Sequence, residues 1–192
     1  MPLILGSQSP RRKEILGYFK LPFIQVPSSF DEESFPFEGN PEKYVCDLSL
    51  KKARVLAPRY PSDIILTADT IVYFKGKIFG KPGNDAEAIQ SLSELAGNWH
   101  TVYTGVTVVQ GAQQASQAEA THVLFNALNE NQIRQYITHT EWADKAGGYA
   151  IQMAGGLIVR KIEGCYYNVM GLPINTVEAL LKTVGIELWD YL

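Results

Sequence analysis

IILTADTIVYF, residues 64–74, reads as one long strand, with aliphatic and β-branched side chains at both alternating sets of positions. That is the pattern of a strand covered on both faces. Asp69 stands in its middle, between Ala68 and Thr70. A buried carboxylate without a partner costs several kcal/mol or takes up a proton. Two readings follow. Asp69 is a structural residue held by a lysine, an arginine or a backbone amide, or it is a carboxylate at a cleft that binds metal or accepts a proton.

Working outward, the N-terminal LILGS (3–7) reads as a short strand, and SPRRKEILGYF as a helix with Ser9 at its N-cap and Pro10 at its first position. FIQVPS (23–28) is a second strand, and 28–41 an acidic loop. A helix starts at Asn40-Pro41 and ends before Pro58, with Val45, Leu48, Val55 and Leu56 as its apolar positions. Past the 64–74 strand, Gly76 marks a hairpin turn, and 84–96 is a helix between Asn84 and Gly97. Strands are expected at 100–109, 118–125 and 156–164, and helices at 129–139 and 175–185. Strands mixed with helices, and at least one hairpin, predict an α/β protein with a mixed sheet.

A chain of 192 residues suits a single domain, 1–192, and buries a sizeable core. Its 46% hydrophobic and 19% charged residues exclude a disordered chain. No apolar run approaches the ~20 residues that cross a bilayer, and MPLILGSQSPRR lacks the pattern of a secretory signal. Cys46 and Cys165 form neither a disulfide framework nor a zinc pattern, so a reducing cytosol is expected. A net charge of −3 gives no reason to expect nucleic acid as a partner.

Several other residues break local rules. Lys52 falls on the apolar stripe of its helix, where it either snorkels to water or points into a cleft beside an anion. Arg11 and Arg12 occupy a first helical turn, where the macrodipole disfavours cations unless something negative is close. Ser7 and Ser9 add hydroxyls to that turn, although the Gly-rich run of a P-loop is missing. The acidic run Asp31-Glu32-Glu33 is a solvated loop or a metal-binding edge. Lys81 is a turn lysine or a phosphate contact, and the paired glycines of DKAGGYAIQ (144–152) turn the chain or let backbone approach a ligand. His100, His122 and His139 have no metal-ligand spacing and read as structural. Carboxylates for a hard metal, cations for phosphates and a base for water are what hydrolysis of a nucleoside triphosphate requires.

LGSQSPRRKEIL, FDEE, SLKKA, LTADTIV, GKP, TGV, DKAGGYAIQ and IEGCYYNVMGLPI, in that order, resemble the motifs of the Maf family of house-cleaning nucleotide pyrophosphatases, also called septum formation inhibitor proteins. The resemblance implies an elongated mixed β-sheet with flanking helices, like that of inosine triphosphate pyrophosphatases, with two lobes around a cleft. It implies hydrolysis to nucleoside monophosphate and pyrophosphate, dependent on a divalent metal, Mg²⁺ or else Mn²⁺. The family's proton acceptor falls on Asp69, and its acidic metal-side residue on Glu32, so Glu32 and Asp69 are the expected metal ligands. Lys52, Lys81 and the segment from Ser7 to Arg12, Arg11 included, match phosphate-binding positions.

Family branches act on dTTP and UTP or on 7-methyl-GTP. Arg12, Thr70 and Gln152 resemble the pyrimidine branch, which makes dTTP and UTP the expected substrates; 7-methyl-GTP is the alternative. Met153 stands where the family usually has glycine, and a side chain there is expected to narrow the base pocket. A nucleotide-binding regulator of septum formation is the competing reading from another class. The resemblance leaves room for a homodimer and gives no role to a membrane.

Overall fold

The computed structural model describes residues 2–32 and 34–192. Strand β1 (Leu3–Gly6) is followed by helix α1 (Pro10–Leu16), strand β2 (Phe23–Gln25) and helix α2 (Pro41–Leu56). Strands β3 (Ile64–Phe74) and β4 (Lys77–Phe79) precede helix α3 (Asp85–Leu95). Strands β5 (Trp99–Gln110) and β6 (Gln113–Phe125), helix α4 (Glu130–His139), strand β7 (Val159–Glu163) and helices α5 (Tyr166–Met170) and α6 (Ile174–Lys182) complete the chain. The strands form one seven-stranded sheet in the order β2-β1-β3-β5-β6-β7, with β4 also paired to β3. β1 is parallel to β2 and β3, whereas β3–β4 and β6–β7 are antiparallel. The sheet is therefore mixed, as expected.

The chain divides into two compact units. The first comprises Met1–Asp69, Thr104–Glu119 and Gly171–Leu192, and the second Thr70–Tyr103 and Ala120–Met170. In the first unit, Asn40 caps α2 by accepting from the Lys43 N–H at 3.0 Å, and Pro41 fills the first position, where a missing N–H costs nothing. The buried stripe of α2 is Val45, Leu48, Ser49, Lys52, Ala53 and Leu56, a strict i, i+3, i+4 repeat. Val55, expected on that stripe, is instead exposed, because the stripe passes through Ala53 and Leu56. Gly105 lets the helix lie on β5: a Cβ there would collide with the Val45 carbonyl and the Cys46 nitrogen, which are backbone atoms and cannot yield. Ile4, Ala53, Leu56, Ile65 and Val109 pack as a core below α2.

In the second unit, α3 and α4 cover a core that includes Val72, Phe79, Leu92, Phe125, Ile133 and Tyr149. Both helices are capped by asparagine: Asn84 accepts from Glu87 N–H, and Asn129 forms a reciprocal capping box with Gln132.

Several elements differ in extent from the sequence reading, β2, α1 and α6 ending short of it. β6 begins at Gln113, not 118, since pairing beyond the Gly111 turn (φ +58°) extends the strand through the polar QQASQ. β7 begins at Val159 because Met153–Leu157 is a 3₁₀ turn. The short helix α5 had no apolar periodicity long enough to announce it.

Candidate active site

β3 brings Asp69 into the first unit almost fully buried. Side chains alternate along a strand, so Thr67 and Asp69 share one face and Thr70 points to the other. α2 lies on the Asp69 face. Lys52 extends from its buried stripe and donates to Asp69 Oδ1 at 2.6 Å, and its Nζ also pairs with Glu32 Oε1 at 2.8 Å. Lys52 is thus not a snorkelling lysine: its side chain is 8% exposed, and its charge is spent on two carboxylates. Glu32 is held there by its loop. Phe35 and Phe37 pack on Tyr44 of α2 with ring centroids 5.6 and 5.4 Å apart, and the Tyr44 hydroxyl donates to the Phe35 carbonyl. Burial, with Asp69 and Glu32 adding to it, pushes the Tyr44 phenol up from its ordinary value. Glu33, the last member of the acidic run, lies outside the described residues.

The SQSPRR turn is built on its own hydroxyls. Ser7 Oγ accepts from Ser9 N–H at 3.1 Å and from Arg12 Nη1 at 3.3 Å, while Ser9 Oγ accepts from Arg12 N–H. Arg12 Nε donates to the Gly171 carbonyl at 2.7 Å. Burial lowers the pKa of its guanidinium, and the negative charges of Asp69 and Glu32 oppose that shift. The something negative that an arginine in this turn requires is therefore the carboxylate pair of the protein itself. Arg11 is half-buried in the same helical turn.

The Maf-like protein family matches residues 2–184. The chain belongs to the Maf family. It is 47% identical to a Chlamydia felis protein named dTTP/UTP pyrophosphatase, covering 99% of this chain and 97% of that one. It is 45% identical to a Clostridium perfringens protein of the same name, covering 98% and 100%. Among solved structures, the Staphylococcus aureus Ham1 protein matches with a TM-score of 0.53 at 10% identity, covering 96% of this chain and 100% of that one, a likeness of fold.

In the second unit of this Maf chain, three further expected residues are found. Thr70 is half-buried at the start of the unit's part of β3. Gly147 N–H donates to the Gly80 carbonyl at 2.9 Å, which ties the DKAGGYAIQ loop to the turn that carries exposed Lys81. A Cβ on Gly147 would lie 3.1 Å from Val72 Cγ2, so the loop sits on the strand two residues past Thr70. Two tyrosines anchor the loop: Tyr149 OH lies 2.7 Å from His100 Nε2, and Ala150 N–H donates to Tyr136 OH. His100 is buried and held neutral, its pKa pushed down to about 4 by burial, in keeping with a structural histidine. Gln152 is half-buried at the head of the 3₁₀ turn. Met153 is 98% exposed at φ +53°. Its side chain points to water. The left-handed backbone explains why glycine suits this position.

Sequence reasoning missed the Arg12–Gly171 bond, the aromatic anchors of the Glu32 loop, and a line of buried hydroxyls beneath Lys52. Of these, only the aromatics had a sequence signal: Phe30, Phe35 and Phe37 punctuate an otherwise acidic loop.

Proposed function

We propose that this Maf protein hydrolyses nucleoside triphosphates, dTTP and UTP foremost, to the monophosphate and pyrophosphate. The observation that carries the reading is the buried Asp69 carboxylate on the Lys52 ammonium, with Glu32 on the same ammonium. The names of the two relatives above support the choice of substrate.

Asp69 accepts a proton from the attacking water. The water oxygen joins one product as the bridging P–O bond breaks, and the bridge oxygen leaves with the other. Lys52, already between two carboxylates, offers its remaining N–H to a phosphate oxygen. The Ser7 hydroxyl accepts from Ser9 N–H and Arg12 Nη1 and offers its own proton to the phosphates. Arg11 and Lys81 add charge for the phosphates, and Arg12 fixes the turn that presents Ser7.

The residues fit a hard divalent cation. Glu32 and Asp69 converge on a single ammonium at 2.8 and 2.6 Å, and Mg²⁺ characteristically takes one or two carboxylates plus phosphate oxygens. When bound, Mg²⁺ or Mn²⁺ would offset the charge of the phosphates.

Among the described residues no helix is long and apolar enough to cross a membrane. A cytosolic location and a homodimer accord with this reading. The test is a screen of nucleoside triphosphates with Mg²⁺ or Mn²⁺, with products resolved by chromatography. Monophosphate plus pyrophosphate, abolished by chelation, is expected; free phosphate without pyrophosphate would refute it.

A further inference from the structure

Three buried hydroxyl-bearing residues, Thr67, Ser49 and Thr107, lie close to Lys52 and Asp69 in the chain and the sheet, and exposed Ser116 ends their line. Thr67 Oγ1 donates to the Ser49 carbonyl at 2.7 Å. Ser49 Oγ donates back to the Cys46 carbonyl at 2.9 Å and lies 2.7 Å from Thr107 Oγ1. Thr107 Oγ1 in turn lies 2.7 Å from Ser116 Oγ. Ser49, Thr67 and Thr107 are each 0% exposed.

Their placement follows the sequence register. Thr67 precedes Asp69 by two residues on one face of β3. Ser49 precedes Lys52 by one helical turn on the buried stripe of α2. The Thr67–Ser49 bond therefore ties the strand and the helix together one step before the strand presents its carboxylate and the helix its ammonium. Apolar contacts alone would let α2 slide by fractions of an ångström, since dispersion is non-directional. A short hydrogen bond in a site closed to water does not. Gly6, paired with Thr67 in the sheet, keeps the approach open: a Cβ there would lie 2.6 Å from Thr67 Cγ2 and 2.7 Å from Leu56 Cδ1.

We propose that Thr67 is a positioning residue of this Maf enzyme: its hydrogen bond to the Ser49 carbonyl sets the register of α2 on β3 and so fixes Lys52 Nζ on Asp69. The inference rests on the reading of Lys52 and Asp69 as the reacting pair. Misplacement of such a group by an ångström costs up to about a hundredfold in rate.

The test uses the full chain with its best nucleoside triphosphate and Mg²⁺. Thr67→Val keeps the shape and removes the donor; Thr67→Ser keeps the donor. Thr67→Val is expected to lower kcat about tenfold with KM within about threefold, and Thr67→Ser to restore most of the loss. In a Lys52→Gln background Thr67→Val is expected to add less than about twofold, because residues that act through one another are non-additive. If Thr67→Val does not fold, Thr67→Ala, which likewise removes the donor to the Ser49 carbonyl, is read in the same way. A kcat at the wild-type level in Thr67→Val, or an equal loss with and without Lys52, overturns the proposal while leaving the proposed function standing. Absence of triphosphate hydrolysis by the wild-type protein overturns both.

Discussion

Lys52 Nζ lies 2.6 Å from Asp69 Oδ1, with the two side chains 8% and 6% exposed. A pair so placed has left water on both sides, and removing one partner strands the other. Lys52→Met is expected to destabilise the protein by about 3–5 kcal/mol, because Asp69 keeps its desolvation cost without its cation. Lys52→Met combined with Asp69→Leu should recover most of that loss, since a buried ion pair replaced by apolar side chains is often neutral. Urea unfolding of both variants measures this. A double variant as unstable as the single would mean that the pair matters through packing and not through charge.

Asp69→Asn separates fold from chemistry. The amide is nearly isosteric and still accepts from Lys52, but it takes no proton from water. Turnover should fall by more than about a hundredfold, the worth of a lost general base, with the far-ultraviolet circular dichroism unchanged. Near-normal turnover would sink the assignment of Asp69 as proton acceptor.

Asp69 also marks how far the sequence could be read. Its strand, the mixed sheet, the helix starts at Asn40 and Asn84, and the place of Lys52 on the apolar stripe of α2 all followed from local patterns, because period and capping chemistry act within a few residues. What escaped was non-local. Gly171 binds Arg12 across 159 residues, and Ser49 meets Thr107 across 58. Nothing in a run of sequence pairs such distant groups. Val55 and the start of β6 were misjudged for a related reason: tertiary packing chose between two nearly equal local patterns.

His100 makes stability depend on pH. Its pKa is pushed from 6.5 down to about 4 by burial, so the folded state resists a proton that the unfolded chain takes up below about 6.5. The stabilisation is complete above pH 6.5 and is lost as pH falls from 6.5 towards 4, because in that window the unfolded state binds more protons. At ~1.4 kcal/mol per unit the loss amounts to about 3 kcal/mol. His100→Gln should flatten the stability curve over that window relative to wild type, measured by urea unfolding at half-unit steps. Parallel curves would show that His100 titrates alike in both states.

Met153 holds a left-handed backbone at φ +53°, which costs a side-chain-bearing residue roughly 1–2 kcal/mol. Its side chain is 98% exposed and recovers little by packing. Met153→Gly should therefore stabilise the protein, by up to about 1 kcal/mol once the greater freedom of glycine in the unfolded chain is subtracted. Thermal unfolding reads the gain. The ratio of UTP to GTP turnover should stay unchanged, since the methionine side chain is turned to water; a changed ratio would place Met153 at the base site.

Base choice is the last prediction, and the structure redistributes the roles expected for it. UTP and dTTP should exceed GTP and 7-methyl-GTP by at least about tenfold in kcat/KM, a modest ~1.4 kcal/mol. Arg12 is committed to the Gly171 carbonyl and the Ser7 hydroxyl. Thr70, on the strand face opposite Asp69, is half-buried. Gln152 is half-buried at the head of its turn, with a side chain that does not cap it. An amide carries both a donor and an acceptor, which suits the adjacent carbonyl and N–H of uracil or thymine, and a base that leaves them unpaired is penalised. Gln152→Ala should therefore erase most of the pyrimidine preference while kcat/KM for GTP changes little. Arg12→Ala should lower kcat/KM for every triphosphate by a similar factor and reduce stability by about 1.5–3 kcal/mol, the worth of a hydrogen bond from a charged donor. A preference that survives Gln152→Ala and collapses in Arg12→Ala would reverse these roles and place base recognition on the guanidinium.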